Sequence, residues 1–123
     1  MRQVDVKFLQ DYADAWNNHD IDSLMGCMTD DCIFETGGGA EPWGTRFQGL
    51  VLVRERFESV WKDVPDAQWS QCRHFVSGDR GLSEWLFTGS ASDGMSIEIQ
   101  GCDVFTFRDG KISIKSTYLK RKQ

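Results

Sequence analysis

The clearest pattern in the chain lies in residues 95–108, which read MSIEIQGCDVFTFR. Successive residues of a β-strand point to opposite faces, so one face of this segment carries two isoleucines, two phenylalanines and Asp103. The other face carries mostly polar side chains, among them Glu98 and Gln100. The segment is therefore predicted to be a half-buried strand with one carboxylate, Asp103, on its apolar face.

Asp103 is the first candidate functional residue. A charge on an apolar face is costly unless it is paired, hydrogen-bonded or neutralised, and each of these changes the pKa of the carboxyl group. A carboxyl group with an altered pKa can take part in proton transfer. The competing interpretation is structural, in which Asp103 only satisfies a buried polar group.

The residue opposite Asp103 depends on the turn that follows Arg108. A type I turn closed by a left-handed glycine places Lys115 opposite Asp103. A strict two-residue turn pairs Arg108 with Lys111 and places Ser116 opposite Asp103, with both following isoleucines turned inward. The alternation of those isoleucines mildly favours the second register, and both remain open.

The remaining segments complete an α+β pattern. Apolar residues at helical spacing predict helices over 2–18, from Asp20 to about Met28, and from Gly49 to about Lys62, with a brief strand at 32–35. The second half predicts an antiparallel meander of four strands joined by short turns: 67–77, 82–90, 95–108 and 111–120.

The chain is long and apolar enough to bury a core. Its 123 residues are 40% hydrophobic, which predicts a single domain over residues 1–123. We expect three N-terminal helices packed on a curved, mainly antiparallel sheet that encloses a pocket. Trp69 or Trp85 is expected on the open face of the sheet, where a second copy of the chain would bind to form a homodimer.

Charge and motif content disfavour several functions. The net charge of −5 disfavours nucleic acids and anionic membranes as partners, and the absence of a leader or long apolar run predicts a cytoplasmic protein. The four cysteines and two histidines lack the spacing of a metal site, and the Gly37–Gly39 run lacks the lysine of a phosphate loop. We therefore expect no cofactor and no metal.

A second charged pair is predicted across the hairpin around Gly78. Counting residues back from this turn places Arg73 opposite Glu84, with His74 on the other face. Both strands alternate poorly, so either face could be the inner one. An exposed cross-strand ion pair is as compatible with the pattern as a pair that lines the pocket.

Over nearly its full length, the chain resembles the SnoaL-like and ketosteroid-isomerase-like members of the nuclear transport factor two superfamily. The resemblance rests on four segments in a set order and spacing: YADAWNNHDID from Tyr12, MTDDCIFE from Met28, FQG from Phe47 and GCDVFTFRDGKI from Gly101. It implies a cone-shaped fold with a deep pocket.

The resemblance also implies roles for individual residues. Tyr12 and Asp103 fall on the two hydrogen-bond donors of the isomerase oxyanion hole, in which the aspartic acid is protonated. The position of the catalytic base falls on Thr36, whose hydroxyl cannot act as that base unaided. Glu84 is the replacement candidate, held ionised by Arg73 or by Lys115. With a cation beside it, Asp103 would instead be a carboxylate that serves as a base or as a ligand anchor.

These considerations favour a small cofactor-free isomerase, cyclase or dehydratase that abstracts a proton next to a carbonyl. The alternative is a non-catalytic ligand-binding or dimeric assembly domain of the same fold. The expected ligand is small and apolar or carbonyl-containing. The apolar side chains expected around it are Trp16, Phe34, Trp43, Phe57, Trp61, Leu86 and Phe105.

Overall fold

The computed structural model describes residues 2–122. Three helices and six strands follow one another in the order α1 (Val6–Asn17), α2 (Ile21–Gly26), β1 (Met28–Glu35), β2 (Arg46–Gln48), α3 (Leu50–Asp63), β3 (Gln68–Ser77), β4 (Arg80–Ser90), β5 (Ser96–Arg108) and β6 (Lys111–Leu119). The α+β class is confirmed. The three helices do not all precede the sheet: β1, which contains the strand predicted at 32–35, and β2 lie between α2 and α3.

The first two helices begin at aspartate caps. The Asp5 carboxylate accepts a hydrogen bond from the backbone N–H of Phe8 at 2.9 Å, and Asp20 does the same for Ser23 at 3.2 Å. The apolar stripe of α1 is buried from Phe8 to Trp16, and Tyr12 belongs to it. These two residues are one turn apart and therefore lie on the same face of the helix.

The six strands form one curved, mixed sheet in the order β2-β1-β6-β5-β4-β3. The predicted antiparallel meander from β3 to β6 is confirmed. The sequence did not predict β2, which has only three residues, or the parallel pairing of β1 with β6. The core lies between the helices and the inward face of the sheet, where Phe8, Phe57 and Phe105 are almost completely buried.

The register of β5 and β6 differs from both predictions. Asp109 and Gly110 both have positive φ, at 54° and 73°, and form the strict two-residue turn that pairs Arg108 with Lys111. The pairing then skips Ser113, so Asp103 lies opposite Thr117 and not opposite Lys115 or Ser116.

The skipped residue changes which side chains of β6 point inward. Ile112 is fully buried and Lys115 is only 5% exposed, although their odd spacing would place them on opposite faces of a regular strand. The bulge at Ser113 therefore brings Lys115 to the inward face. The Ser113 hydroxyl donates a hydrogen bond to the carbonyl oxygen of Thr106 at 3.1 Å.

Candidate functional site

A cavity of about 270 Å³ lies between the helices and the inward face of the sheet. Helices α1 and α3 and strands β1 and β3 to β6 supply most of its wall, and the segments directly after β1 and α3 complete it. Most of the lining is apolar or aromatic. The polar side chains on its wall are Tyr12, Thr36, Arg56, Asp63, Ser83, Asp103, Lys115 and Thr117.

Asp103 and Lys115 form an ion pair on the cavity wall. Lys115 Nζ lies 3.1 Å from Asp103 Oδ1, and the two residues are 5% and 7% exposed. Asp103 Oδ1 also accepts a hydrogen bond from Thr117 Oγ1 at 2.6 Å, and Oδ2 accepts one from Trp85 Nε1 at 3.0 Å. Three donors thus converge on the two oxygens of the carboxylate.

The ammonium group of Lys115 is held among aromatic rings. Its Nζ lies 4.4 Å from the ring centroid of Phe34, 5.4 Å from that of Trp16 and 5.6 Å from that of Phe57. Cation–π attraction at these distances offsets part of the desolvation of the buried charge. Lys115 also donates a hydrogen bond to Thr117 at 3.1 Å, so its position is set by several groups at once.

Tyr12 is a neutral hydrogen-bond donor beside the ion pair. Burial, and secondly the charge of Asp103, raise the pKa of Tyr12 well above its usual range. The hydroxyl donates to the sulfur of Met28 at 3.5 Å. A thioether is a weak acceptor, so this hydroxyl can turn to a ligand oxygen at small cost.

Trp16 supplies a second donor near Tyr12. Its indole N–H lies near the Tyr12 hydroxyl, but without hydrogen-bond geometry, and partly lowers the Tyr12 pKa. Within residues 2–122, Trp16 Nε1 is buried without a partner at hydrogen-bond distance. Buried donors are normally satisfied, so an unsatisfied one on a cavity wall is suited to a ligand acceptor. From the sequence, Trp16 was expected only as an apolar residue of the cavity wall.

Several predicted site residues do line the cavity: Tyr12, Trp16, Phe34, Thr36, Asp103, Phe105 and Lys115. The Thr36 hydroxyl is occupied within its own loop, because it donates to the carbonyl of Gly38 at 2.7 Å. Phe57 and Trp61 pack behind the wall, against Trp16.

Trp43 does not lie on the cavity wall. Its side chain is 42% exposed and stacks against the guanidinium group of Arg46, at 4.5 Å from the ring centroid.

The prediction that Glu84 faces the cavity is wrong. Ser83, Trp85 and Phe87 line the cavity, so Glu84 lies on the outer face of β4, with its side chain 48% exposed. It faces Arg73 there, at 3.9 Å, in the exposed ion pair that was the competing interpretation. Leu86, Arg73 and Glu84 belong to a groove on this outer face.

The expectation that Trp69 or Trp85 lies on the open face is also wrong, because both residues line the cavity. Their inward orientation follows from the same alternation that turns Glu84 outward.

The sequence analysis missed one polar contact of the cavity. Ser83 Oγ lies 2.7 Å from His74 Nδ1, and His74 Nε2 lies 3.0 Å from Gln10 Oε1. The predicted pairing of Arg73 with Glu84 is confirmed and implies that His74 lies opposite Ser83. The sequence signal for this contact is the strand register that pairs Arg73 with Glu84.

Two further observations concern metals and membranes. Among residues 2–122, no three His, Cys, Asp or Glu side chains come together in a group that could hold a metal ion. No helix in the same range is long and apolar enough to cross a membrane. The four cysteines, all of which lie in the described range, are free thiols, and Cys32 is the buried one.

The family of the chain follows from comparison with known proteins. Residues 9–114 match the SnoaL-like domain, so the chain belongs to the SnoaL-like family, as the sequence motifs predicted. No curated protein matches the chain significantly.

Solved structures show the same fold at low identity. A proposed polyketide cyclase from Xanthomonas campestris is 19% identical, with a TM-score of 0.79 over 89% of this chain and 85% of that one. A proposed isomerase from Bacillus subtilis is 17% identical, with a TM-score of 0.77 over 93% and 84%. A protein of unknown function from Mesorhizobium loti, described as like nuclear transport factor two, is 23% identical, with a TM-score of 0.77 over 94% and 89%.

Proposed function

We propose that the protein is a cofactor-free enzyme that abstracts a proton next to the carbonyl group of a small, largely apolar molecule. The observation that carries this proposal is the Asp103–Lys115 ion pair on the wall of an otherwise apolar cavity. Membership of the SnoaL-like family supports a ligand-binding, enzyme-like role. The resemblance to a proposed cyclase and a proposed isomerase supports the reaction class.

Asp103 is the base in this proposal, in place of Glu84. Its Oδ1 is committed to Lys115 and Thr117, whereas Oδ2 accepts one hydrogen bond within the described chain, from Trp85. A carboxylate oxygen has two lone pairs, so Oδ2 keeps one for a substrate proton. The ammonium group of Lys115, 3.1 Å from Oδ1, supplies the counter-charge for a carboxylate in this role.

The proton transfer places negative charge on the substrate oxygen. The carbon–hydrogen bond breaks, its proton goes to Asp103 Oδ2, and its electron pair moves through the carbon–carbon bond to the carbonyl oxygen. The Tyr12 hydroxyl and the Trp16 indole N–H are two neutral donors on the same wall that can stabilise this oxyanion. Return of the proton to another carbon gives an isomer, and attack of the enolate on a second carbonyl gives a ring.

The experiment that tests this proposal is hydrogen–deuterium exchange. The protein is incubated in D₂O with α-tetralone, a ring-sized ketone with protons next to its carbonyl, and their loss is followed by proton NMR. We expect exchange above the buffer rate, abolished by Asp103→Asn and retained by Glu98→Gln, an exposed carboxylate on the same strand. Equal exchange by wild type and Asp103→Asn would exclude Asp103 as the base, and binding without exchange would favour the non-catalytic alternative.

We further propose that the protein is a homodimer formed through the outer face of the sheet. The groove on this face contains Leu86 and Tyr118, and Tyr118 is 59% exposed. Arg73 and Glu84 carry opposite charges side by side in the same groove, so a two-fold axis can pair each with the other in the partner. We expect a dimer mass by sedimentation that Tyr118→Glu lowers to a monomer, whereas Leu52→Glu, at an exposed position on α3, leaves it unchanged. A monomeric wild type would exclude this interface.

A further inference from the structure

A chain of hydrogen bonds leads from the cavity wall to the protein surface. It starts at Ser83, which lines the cavity and is 5% exposed. Ser83 Oγ contacts His74 Nδ1 at 2.7 Å, and His74 Nε2 contacts Gln10 Oε1 at 3.0 Å. Gln10 Nε2 then donates to Asp14 Oδ1 at 2.9 Å, on the exposed side of α1. The proposed reaction uses none of these four side chains.

The hydrogen bond from Gln10 to Asp14 determines the direction of the other hydrogen bonds in this series. Asp14 accepts from the amide nitrogen of Gln10, so the amide oxygen of Gln10 faces His74. That oxygen can only accept, so His74 Nε2 carries a hydrogen. Burial lowers the pKa of His74, which keeps the ring neutral near pH 7. His74 Nδ1 is therefore an acceptor, and the Ser83 hydroxyl donates to it.

This arrangement decides what Ser83 offers to a ligand. Its hydrogen points to His74, so its lone pairs are left for the cavity, and lone pairs accept hydrogen bonds from a ligand hydroxyl. We propose that Ser83 binds a hydroxyl group of the substrate and that His74, through Ser83, exchanges a proton with that group. This inference rests on the proposed function and narrows its substrate class to hydroxylated carbonyl compounds.

In this exchange, each proton that leaves one group is taken up by the next group in the hydrogen-bond series. As the substrate O–H bond breaks, its proton goes to Ser83 Oγ, and the Ser83 proton goes to His74 Nδ1. The substrate is left as an alkoxide or phenolate, and His74 becomes an imidazolium whose Nε2–H still donates to Gln10. The reverse movement returns the proton to a substrate oxygen.

The surroundings of His74 support this exchange. On α1, Asp14 raises the pKa of His74 and would stabilise the imidazolium. This effect opposes that of burial, which lowers the pKa. On β3, Cys72 lies two residues before His74, and the pKa of its thiol is raised by burial and then by Asp14 and Asp103. Arg73 and Glu84 lie on the opposite face, in the exposed ion pair. On β5, Asp103 is opposite Ser83 and is paired with Lys115.

The test compares ligands that differ by one hydroxyl group. α-Tetralone and its phenolic hydroxy derivatives are titrated into the wild type, Ser83→Ala and Ser70→Ala, the last at an exposed position of β3. We expect at least one hydroxy derivative to bind the wild type about tenfold more tightly than α-tetralone, the ratio expected for one added hydrogen bond. Ser83→Ala should lose this preference while its affinity for α-tetralone is unchanged, and Ser70→Ala should keep it.

A second measurement uses the wild type alone. The imidazole NMR signals of His74 are titrated with pH, without ligand and with each ketone. The preferred hydroxy derivative should shift the midpoint of the His74 titration, and α-tetralone should not. A wild type without preference for any hydroxy derivative, a preference that survives Ser83→Ala, or an unchanged midpoint would overturn the proposal. Absence of deuterium exchange would instead overturn the proposed function. The two failures can be distinguished, because ligand binding and the His74 titration are measured without any catalytic exchange.

Discussion

Asp103 and Lys115 form their ion pair diagonally across two strands. Asp103 lies opposite Thr117 and Lys115 lies opposite Phe105, yet Lys115 Nζ reaches Asp103 Oδ1 at 3.1 Å. Thr117 fills the position between them, since its hydroxyl accepts from Lys115 and donates to Asp103. Side chains at diagonal positions are close enough for a long lysine to contact its partner. The pair is therefore a consequence of the bulge at Ser113, which turns Lys115 inward.

Removal of one partner of this pair should destabilise the fold. Lys115→Met leaves the Asp103 carboxylate buried without its counter-ion, and such changes lower the free energy of unfolding by about 3 to 5 kcal/mol. The combined variant Asp103→Asn with Lys115→Met removes both charges and should recover part of this loss. Urea denaturation followed by tryptophan fluorescence measures both. A Lys115→Met protein as stable as the wild type would mean that the ion pair makes no net contribution to the stability of the fold.

Tyr12→Phe should separate activity from stability. The only hydrogen bond found for the hydroxyl within the described residues goes to the sulfur of Met28, so its removal should change the free energy of unfolding by less than about 1 kcal/mol. Loss of an oxyanion donor lowers the rate of such reactions by about 100-fold. Deuterium exchange and urea denaturation on the same samples check the two effects. An unchanged exchange rate would remove Tyr12 from the proposed reaction.

Much of this site follows from the sequence, and the part that does not has physical causes. The alternation in β5 predicted the inward position of Asp103, because five of its inward neighbours are apolar and the period of a strand is two residues. The helical spacing of Tyr12 and Trp16 predicted a shared face in the same way. Both signals are local, so they do not depend on how the rest of the chain packs.

The inward orientation of Lys115 could not be predicted from the local alternation of residues in β6. A single skipped residue at Ser113 decides it, and that skip is a property of the packed sheet. Glu84 was misplaced because β4 has apolar residues on both faces, with Leu82 and Leu86 alternating with Trp85 and Phe87. Such a strand gives no preferred inward face, and only the cavity and the outer groove distinguish the two sides.

Gly101→Ala should disturb the support of Asp103. A Cβ at this position would lie 2.6 Å from Trp85 Cη2 and 2.7 Å from the carbonyl oxygen of Tyr118. The backbone oxygen cannot move away without breaking the sheet, so overpacking should lower the free energy of unfolding by about 1 to 3 kcal/mol. Displacement of Trp85 would also weaken its hydrogen bond to Asp103.

The matched control is Gly26→Ala, where no atom lies within 4 Å of the added carbon. Its stability should equal or exceed that of the wild type. Thermal and urea denaturation of the two variants test this contrast. Equal stability of Gly101→Ala and Gly26→Ala would contradict the close packing of Trp85 on β5.

The lowered pKa of His74 predicts how stability changes with pH. Burial places the folded pKa below its ordinary value of 6.5, so the unfolded chain takes up a proton at this residue before the native protein does. The free energy of unfolding should therefore fall as pH decreases from 6.5 toward the folded pKa, with no contribution from His74 above that window. His74→Asn removes the titrating ring and should flatten this part of the profile.

Several carboxylates with lowered pKa values, such as Asp31 and Asp66, lose their contribution only at more acidic pH, so the two ranges can be separated. Urea denaturation at closely spaced pH values between neutral and mildly acidic conditions makes the comparison, and identical slopes for wild type and His74→Asn would show that the ring titrates alike in the folded and unfolded chain.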